Sequence, residues 1–238
     1  MDVGTASGIL LACCGLSLAL AIALWTSARE TRSARRLALA LGVLAGMILV
    51  YPLGWTGREE VPPAVAFLPF NLPLALGPLL YGYVSLLATG RTPRREPVHF
   101  VPALVLLAYL LVSFCLPAEL RADWKETAHD KWVKPFIEAT VLVSLTAYSV
   151  ACLRLLRRYR AFIAHTRSDA DRFAARWIGR VLVGLTVTLA LLMAVRIYTW
   201  NVGELDGSAL TLWLGVLSAY LGVEGWRQSD RGFPAMED

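Results

Sequence analysis

Seven apolar stretches, each about as long as a bilayer-crossing helix, decide most of what this chain can fold into. A transmembrane helix takes about 20 mostly apolar residues. Such stretches occupy 4–27, 37–55, 64–89, 98–117, 136–153, 178–200 and 209–226. Within lipid a lone spanning segment must satisfy its own backbone, which selects helix. Hydrophobic residues reach 57%, charged residues only 17%, and mean hydropathy is +0.56, which excludes an ordinary soluble domain. The connections are too short to hold one outside the bilayer. The expectation is an all-α polytopic membrane protein: one bundle of seven transmembrane helices over 1–226 and a short cytoplasmic tail over 227–238. The first run is too long for a signal-peptide core and has no basic region before it, so it is expected to remain as helix one.

Basic residues flanking spans stay on the cytoplasmic side. Seventeen fall on one side of the expected spans: Arg29, Arg32, Arg35 and Arg36, then Arg91, Arg94 and Arg95, then eight arginines from Arg154 to Arg180, and finally Arg227 and Arg231. Five fall on the other, namely Arg58, Arg121, Lys125, Lys131 and Lys134. The N-terminus is therefore expected outside and the C-terminus in the cytoplasm of a bacterial inner membrane. The net charge of +5 is explained by this inner face and its anionic lipid, so direct nucleic-acid binding by the chain is not expected.

Catalytic and metal signatures are missing. His99 and His165 belong to the cytoplasmic side and His129 to the outer side, and no HExxH or paired-cysteine metal motif occurs. Cys13 with Cys14, Cys115 and Cys152 lie at different depths, which argues against a disulfide. Lysine occurs only at 125, 131 and 134, so no mid-membrane lysine can hold retinal. Neither enzyme activity, a cofactor nor a metal is expected.

Charged groups inside spans are expensive and mark function. Glu138 starts the fifth span and Arg196 ends the sixth, at matching outer depth and with opposite sign. Asn71 and Pro73, in the outer half of the third span, complete an expected outward pocket. There "NLPLALGPLLYGY" places Pro73 and Pro78 within one helix, stranding the carbonyls of Pro69 and Leu74. A kink or break is expected, packed against protein and not lipid. The connection "RLLRRYRAFIAHTRSDADRFAARW" reads as two cytoplasmic helix extensions. Leu155, Leu156 and Tyr159 share a face of the first, and Ser168 with Asp171 forms a capping box for the second. Arg157, Arg158, Arg160, Arg176 and Trp177 are its expected coupling residues, with an interfacial anchor as the alternative.

"LGPLLYGYVSLLATGR" (76–91), "HFVPALVLL" (99–107), "RRYRAFIAHTRSDADRFAARWIGRVLV" (157–183) and "AYLGVEGWRQ" (219–228) together resemble the N-terminal multi-helix membrane domain of bacterial AraC-family transcription regulators. Gly77, Pro78, Leu79, Leu80 and Tyr81 carry the likeness best. The resemblance implies a membrane sensor governing a cytoplasmic DNA-binding module. Only twelve residues follow Trp226, too few for a helix-turn-helix, so a separate regulator or DNA-binding partner is expected, with a truncated regulator as the alternative. The remaining partners are the bilayer itself and a second copy of the chain. Two rival readings are a small-solute transporter, for which the later spans lack a break matching that of the third, and a structural subunit of a membrane complex.

Overall fold

The computed structural model describes residues 3–26, 32–54, 62–93, 95–166, 176–201 and 208–229, together with residue 236. Of the described residues 91% are helical and none lies in a strand, so the fold is all-α as expected. Among the described residues four helices are long and apolar enough to cross a membrane: Ser7–Thr26, Arg32–Leu53, Ala118–His165 and Trp177–Val195.

The elements run α1 (Val3–Thr26), α2 (Arg32–Gly54), α3 (Pro63–Ala66), α4 (Pro73–Thr89), α5 (Glu96–His99), α6 (Val101–Phe114) and α7 (Ala118–Trp124). A π-helix, π1 (Lys125–Val133), follows, then α8 (Lys134–Thr166), α9 (Arg176–Asn201) and α10 (Ser208–Ser229). Around the bundle α2 packs on α4, α4 on α8, α8 on α9, α9 on α10, and α10 returns to α2. α1 lies against α2 and α10, and α6 against α4.

α4 occupies the most enclosed position. Residues 74–80 and 82–88 are all buried, which an apolar helix without a polar face permits. It stops at Gly90, whose φ of 67° is the left-handed cap that glycine adopts freely, with its N–H donating to the Leu86 carbonyl. The Met236 N–H donates to the Ala88 carbonyl at 2.8 Å, which places this residue at the C-terminal end of α4.

Helices in lipid gain little from apolar contact and are held by close approach and interhelical hydrogen bonds. Along α10 the small residues Gly215, Ser218, Gly222 and Gly225 recur every three or four positions. The three glycines bring the helix against Cys13 and Leu20 of α1 and Leu37 of α2. Ser17 Oγ donates to the Cys13 carbonyl at 2.8 Å, so the 2.8 Å bond to Ser218 must have Ser218 as donor. By the same reasoning Ser149 donates to Thr186, whose own proton goes to the Leu182 carbonyl. Cross-helix bonds of this type contribute roughly 0.6 to 2 kcal/mol each.

Three expectations change. The stretch 64–89 does break, one of the two outcomes expected, but ahead of Pro73 and not at it: the chain leaves α3 at Ala66, turns through Phe67–Leu72 and restarts at Pro73. Pro73 occupies the first helical position, where its missing N–H would have no helical partner anyway, so it initiates α4 instead of stranding the Pro69 carbonyl. Pro78 alone sits inside the helix. The turn is packed on protein as expected, since a Cβ on Gly46 of α2 would lie 2.6 Å from the Phe70 carbonyl oxygen. Second, the stretch 98–117 holds a helix of 14 residues, about 21 Å long against a hydrocarbon core of roughly 30 Å. Third, the segment between the fourth and fifth apolar stretches is helix, not loop. α7, π1 and α8 follow without interruption and make one rod from Ala118 to Thr166. Its far end carries the expected extension, with Leu156 and Tyr159 fully buried and Leu155 half-buried.

Candidate functional site

The richest polar cluster among the described residues forms where the α3–α4 turn meets the rod. A π-helix carries one more residue per turn than an α-helix and recurs at functional sites. In π1 it turns Lys125 and His129 inward, and both are buried at 7% and 5% exposure. Trp132, with 74% exposure, faces outward on the same element.

His129 is enclosed by rings. Phe67, fully buried in the turn after α3, lies 4.6 Å away between centroids, and Tyr109 of α6 stacks on it at 5.9 Å and 19°. Its Nδ1 is 2.8 Å from the Tyr109 hydroxyl, which also accepts from Trp124 Nε1 of α7 at 3.1 Å. Lys125 Nζ bonds Asp130 Oδ2 at 2.9 Å, and Lys134 approaches the other carboxylate oxygen at 3.9 Å. Four pieces of backbone, the α3–α4 turn, α6, α7 and π1, thus converge on one imidazole.

A second cluster lies about 19 residues further along the rod. A Cβ on Gly77 would sit 2.5 Å from Tyr148 Cδ2 and 3.3 Å from its Cβ, so only glycine lets α8 come this close to α4. The Tyr148 hydroxyl meets His99 Nδ1 at 2.9 Å, and Tyr81 packs at 6.2 Å from His99 and 6.0 Å from Tyr148. Arg36 of α2 is ion-paired with Glu96 of α5 beside Gly82. Gly77, Pro78, Leu79 and Leu80 are buried and Tyr81 half-buried, so the residues that carry the resemblance shape this α4–α5–α8 junction.

Other residues singled out from sequence are dispersed. Asn71 is half-buried in the turn that holds Phe67, and its backbone N–H donates to the Leu68 carbonyl. Glu138 is half-buried two turns beyond Asp130, with Oε2 inside the fold. The Arg196 side chain lies outside the described residues, and so does the Glu138–Arg196 pairing. Arg157 and Arg158 are exposed on α8, and Arg160 is half-buried against α9 near Gly179. Ser168 and Asp171 fall outside the described residues, as does the Arg176 side chain. Trp177, expected on a coupling surface, is instead a core residue at 4% exposure against Tyr83 of α4, and its Nε1 has no hydrogen-bond partner among the described residues.

The four cysteines are free thiols, and no group of three or more His, Cys, Asp or Glu side chains among the described residues could hold a metal. Sequence reading missed the His129 cluster. Its available signal was the spacing of Lys125 and His129, four apart and preceded by Trp124, which puts a cation and an imidazole on one helical face beside an aromatic ring.

The chain matches no known family model. Comparison with characterised proteins and with solved structures likewise finds no match.

Proposed function

We propose that the chain is a membrane-embedded sensor, with the His129 end of the rod facing outside and the Thr166 end in the cytoplasm of a bacterial inner membrane. The observation that carries this reading is the rod itself. One unbroken helical path joins a buried polar cluster at one end to an arginine-bearing extension at the other. The rod is 48 residues long from Ala118 to His165, about 72 Å, more than twice the hydrocarbon thickness. Its apolar part at 136–153 fills the bilayer, and both ends project. A scaffold has no need of such a path, whereas a sensor requires one.

The orientation proposed is the one the seventeen-to-five division of basic residues favours, with seven crossings, the N-terminus outside and the tail in the cytoplasm. A reporter active only in the periplasm, fused after Trp226, is expected to be silent there, while a cytoplasm-active one works. The opposite pair of results would overturn the seven-crossing arrangement.

The signalling partner proposed is a cytoplasmic DNA-binding regulator, as the likeness to AraC-family membrane domains suggests, and Asn71, Pro73, Glu138 and Arg196 remain the proposed lining of the outer side. The deciding measurement is the labelling rate of a single cysteine placed at His165 in a chain whose native cysteines are replaced. At constant pH, Tyr109→Phe is expected to change that rate although the two positions lie at opposite ends of the rod. An identical rate, together with solute uptake into vesicles by the parent chain, would replace the sensor reading with transport.

A further inference from the structure

We propose that the flank of the bundle formed by α6 and the outer end of the rod fits a hydrocarbon layer only about 21 Å thick, and that bilayer thickness is the signal its Tyr109–His129 junction reports. This deepens the sensor reading of the preceding section and rests on it for the crossing of α6 and for the signal's onward path.

The apolar length of α6 is fixed by polar groups at both ends. Before it, α5 carries Glu96, ion-paired with Arg36 of α2, and His99, bonded to Tyr148 of α8. After it, Arg121 of α7 folds back. Its Nη1 donates to the Phe114 carbonyl at 2.9 Å, and the guanidinium lies 5.8 Å from the centre of the Phe114 ring. The 14 residues between, Val101–Phe114, rise about 21 Å. On the open face of this helix Leu104, Val105 and Val112 are 59%, 64% and 67% exposed, as side chains that meet lipid are. A hydrocarbon core of roughly 30 Å would overhang α6 by about 9 Å, and tilting the helix only shortens its span.

The rod marks the same boundary. Trp124 and His129 both bond the Tyr109 hydroxyl, which sets α7 and π1 beside the last turns of α6. Asp130 and Lys134 are each about a third exposed there, and charges so exposed are costly in hydrocarbon. Trp132 and Phe136 stand exposed on the same part of the rod, where aromatic side chains favour the headgroup level.

The far flank has ordinary length. α1, α2, α4 and α6 pack in series, and the apolar part of α1, Ser7–Thr26, is 20 residues or about 30 Å. No uniform bilayer matches both flanks, so lipid either thins beside α6 or draws α7 and π1 outward from its last turn. Thinning keeps Tyr109 on His129; the outward pull parts them. Each ångström of added thickness raises the cost of thinning and favours the parted state. The bilayer moves this equilibrium only by its differential fit to the two states. Because α7, π1 and α8 are continuous, the pull passes into the membrane-crossing part of the rod.

Distances between nitroxide labels test this in the full chain with its native cysteines replaced. The vesicles are phosphatidylcholine with a constant share of phosphatidylglycerol, their acyl chains about 14, 18 or 22 carbons long. Labels at Leu104 and Glu126 read the junction, Leu11 and Leu53 the far flank, and Leu39 and His165 the other end of the rod, all at exposed positions. From the shortest chains to the longest, the ratio of parted to closed populations at 104/126 is expected to rise about tenfold, with 11/53 unchanged. Arg121→Met, which extends the apolar boundary, should move the response to longer chains, and Arg121→Lys should leave it in place. In the middle lipid a label at Val112 should be relaxed by oxygen and one at Leu120 by a water-soluble nickel chelate. Unchanged 104/126 populations in all the lipids, or a label at Leu120 buried in hydrocarbon, overturns the inference. A label at Val112 reached by the chelate overturns the crossing of α6 itself. A response at 104/126 with none at 39/165 supports the thickness junction and overturns the transmembrane path proposed above.

Discussion

Gly77→Ala is expected to lower the unfolding free energy by about 2 kcal/mol, while Gly82→Ala, five residues along the same helix, leaves it unchanged or raises it by up to about 1 kcal/mol. Both changes gain helix propensity, so the contrast isolates packing. The new methyl at 77 would press on the base of the Tyr148 ring, at 2.5 Å from Cδ2 and 3.1 Å from Cγ, where the side chain cannot swing clear without moving α8. At 82 its nearest neighbours are Glu96 Oε1 at 3.6 Å and Arg36 Nη1 at 3.7 Å, ordinary contacts with flexible ends. Thermal unfolding in detergent reads both. Gly77→Ala should also weaken the Tyr148–His99 bond, because the hydroxyl is displaced with its ring.

The second large effect is expected at the rod's other cluster. Asp130→Ala strands the ammonium of Lys125, a side chain at 9% exposure, and is expected to cost roughly 3 kcal/mol, the lower part of the range for breaking a buried pair because Asp130 itself is a third exposed. Lys125→Met should cost much less, since the carboxylate keeps Lys134 and some water. The double variant Asp130→Ala with Lys125→Met should recover most of the loss, as an apolar chain of similar length fills the ammonium's place. Additive losses would mean that Asp130 acts on something other than Lys125.

Five of the seven apolar stretches lie on α1, α2, α8, α9 and α10, because hydropathy over 20 residues reports the requirement that lipid imposes on a helix. The stretch 64–89 instead breaks after Ala66, 98–117 gives a helix of only 14 residues, and the charged run that follows it folds as helix too. Proline is ambiguous in sequence: inside a helix it removes a bond, whereas at the first position it removes nothing, and only the turn at Phe67–Leu72 decides which applies to Pro73. The run from Ala118 to Val133 looks like a loop because it is charged, yet Lys125 pairs with Asp130 and His129 bonds the Tyr109 hydroxyl once it is folded. Hydropathy scores residues singly and cannot register such mutual satisfaction. A π-helix, moreover, has no residue preference that distinguishes it from α. Trp177 shows the converse case, an aromatic beside arginines that reads as a surface anchor and packs as core.

The seat of Tyr148 on Gly77 makes the rod a lever with a fulcrum near its middle. From His129 to Tyr148 is 19 residues, about 28 Å, and from Tyr148 to Thr166 is 18, about 27 Å. Arms so nearly equal neither amplify nor attenuate. A lateral displacement of about 1–2 Å at the imidazole, the size of helix shifts at switching interfaces, emerges at Thr166 with the same size and the opposite direction. A movement away from α6 at the His129 end thereby swings Arg157 and Arg158 the other way at the far end of the rod.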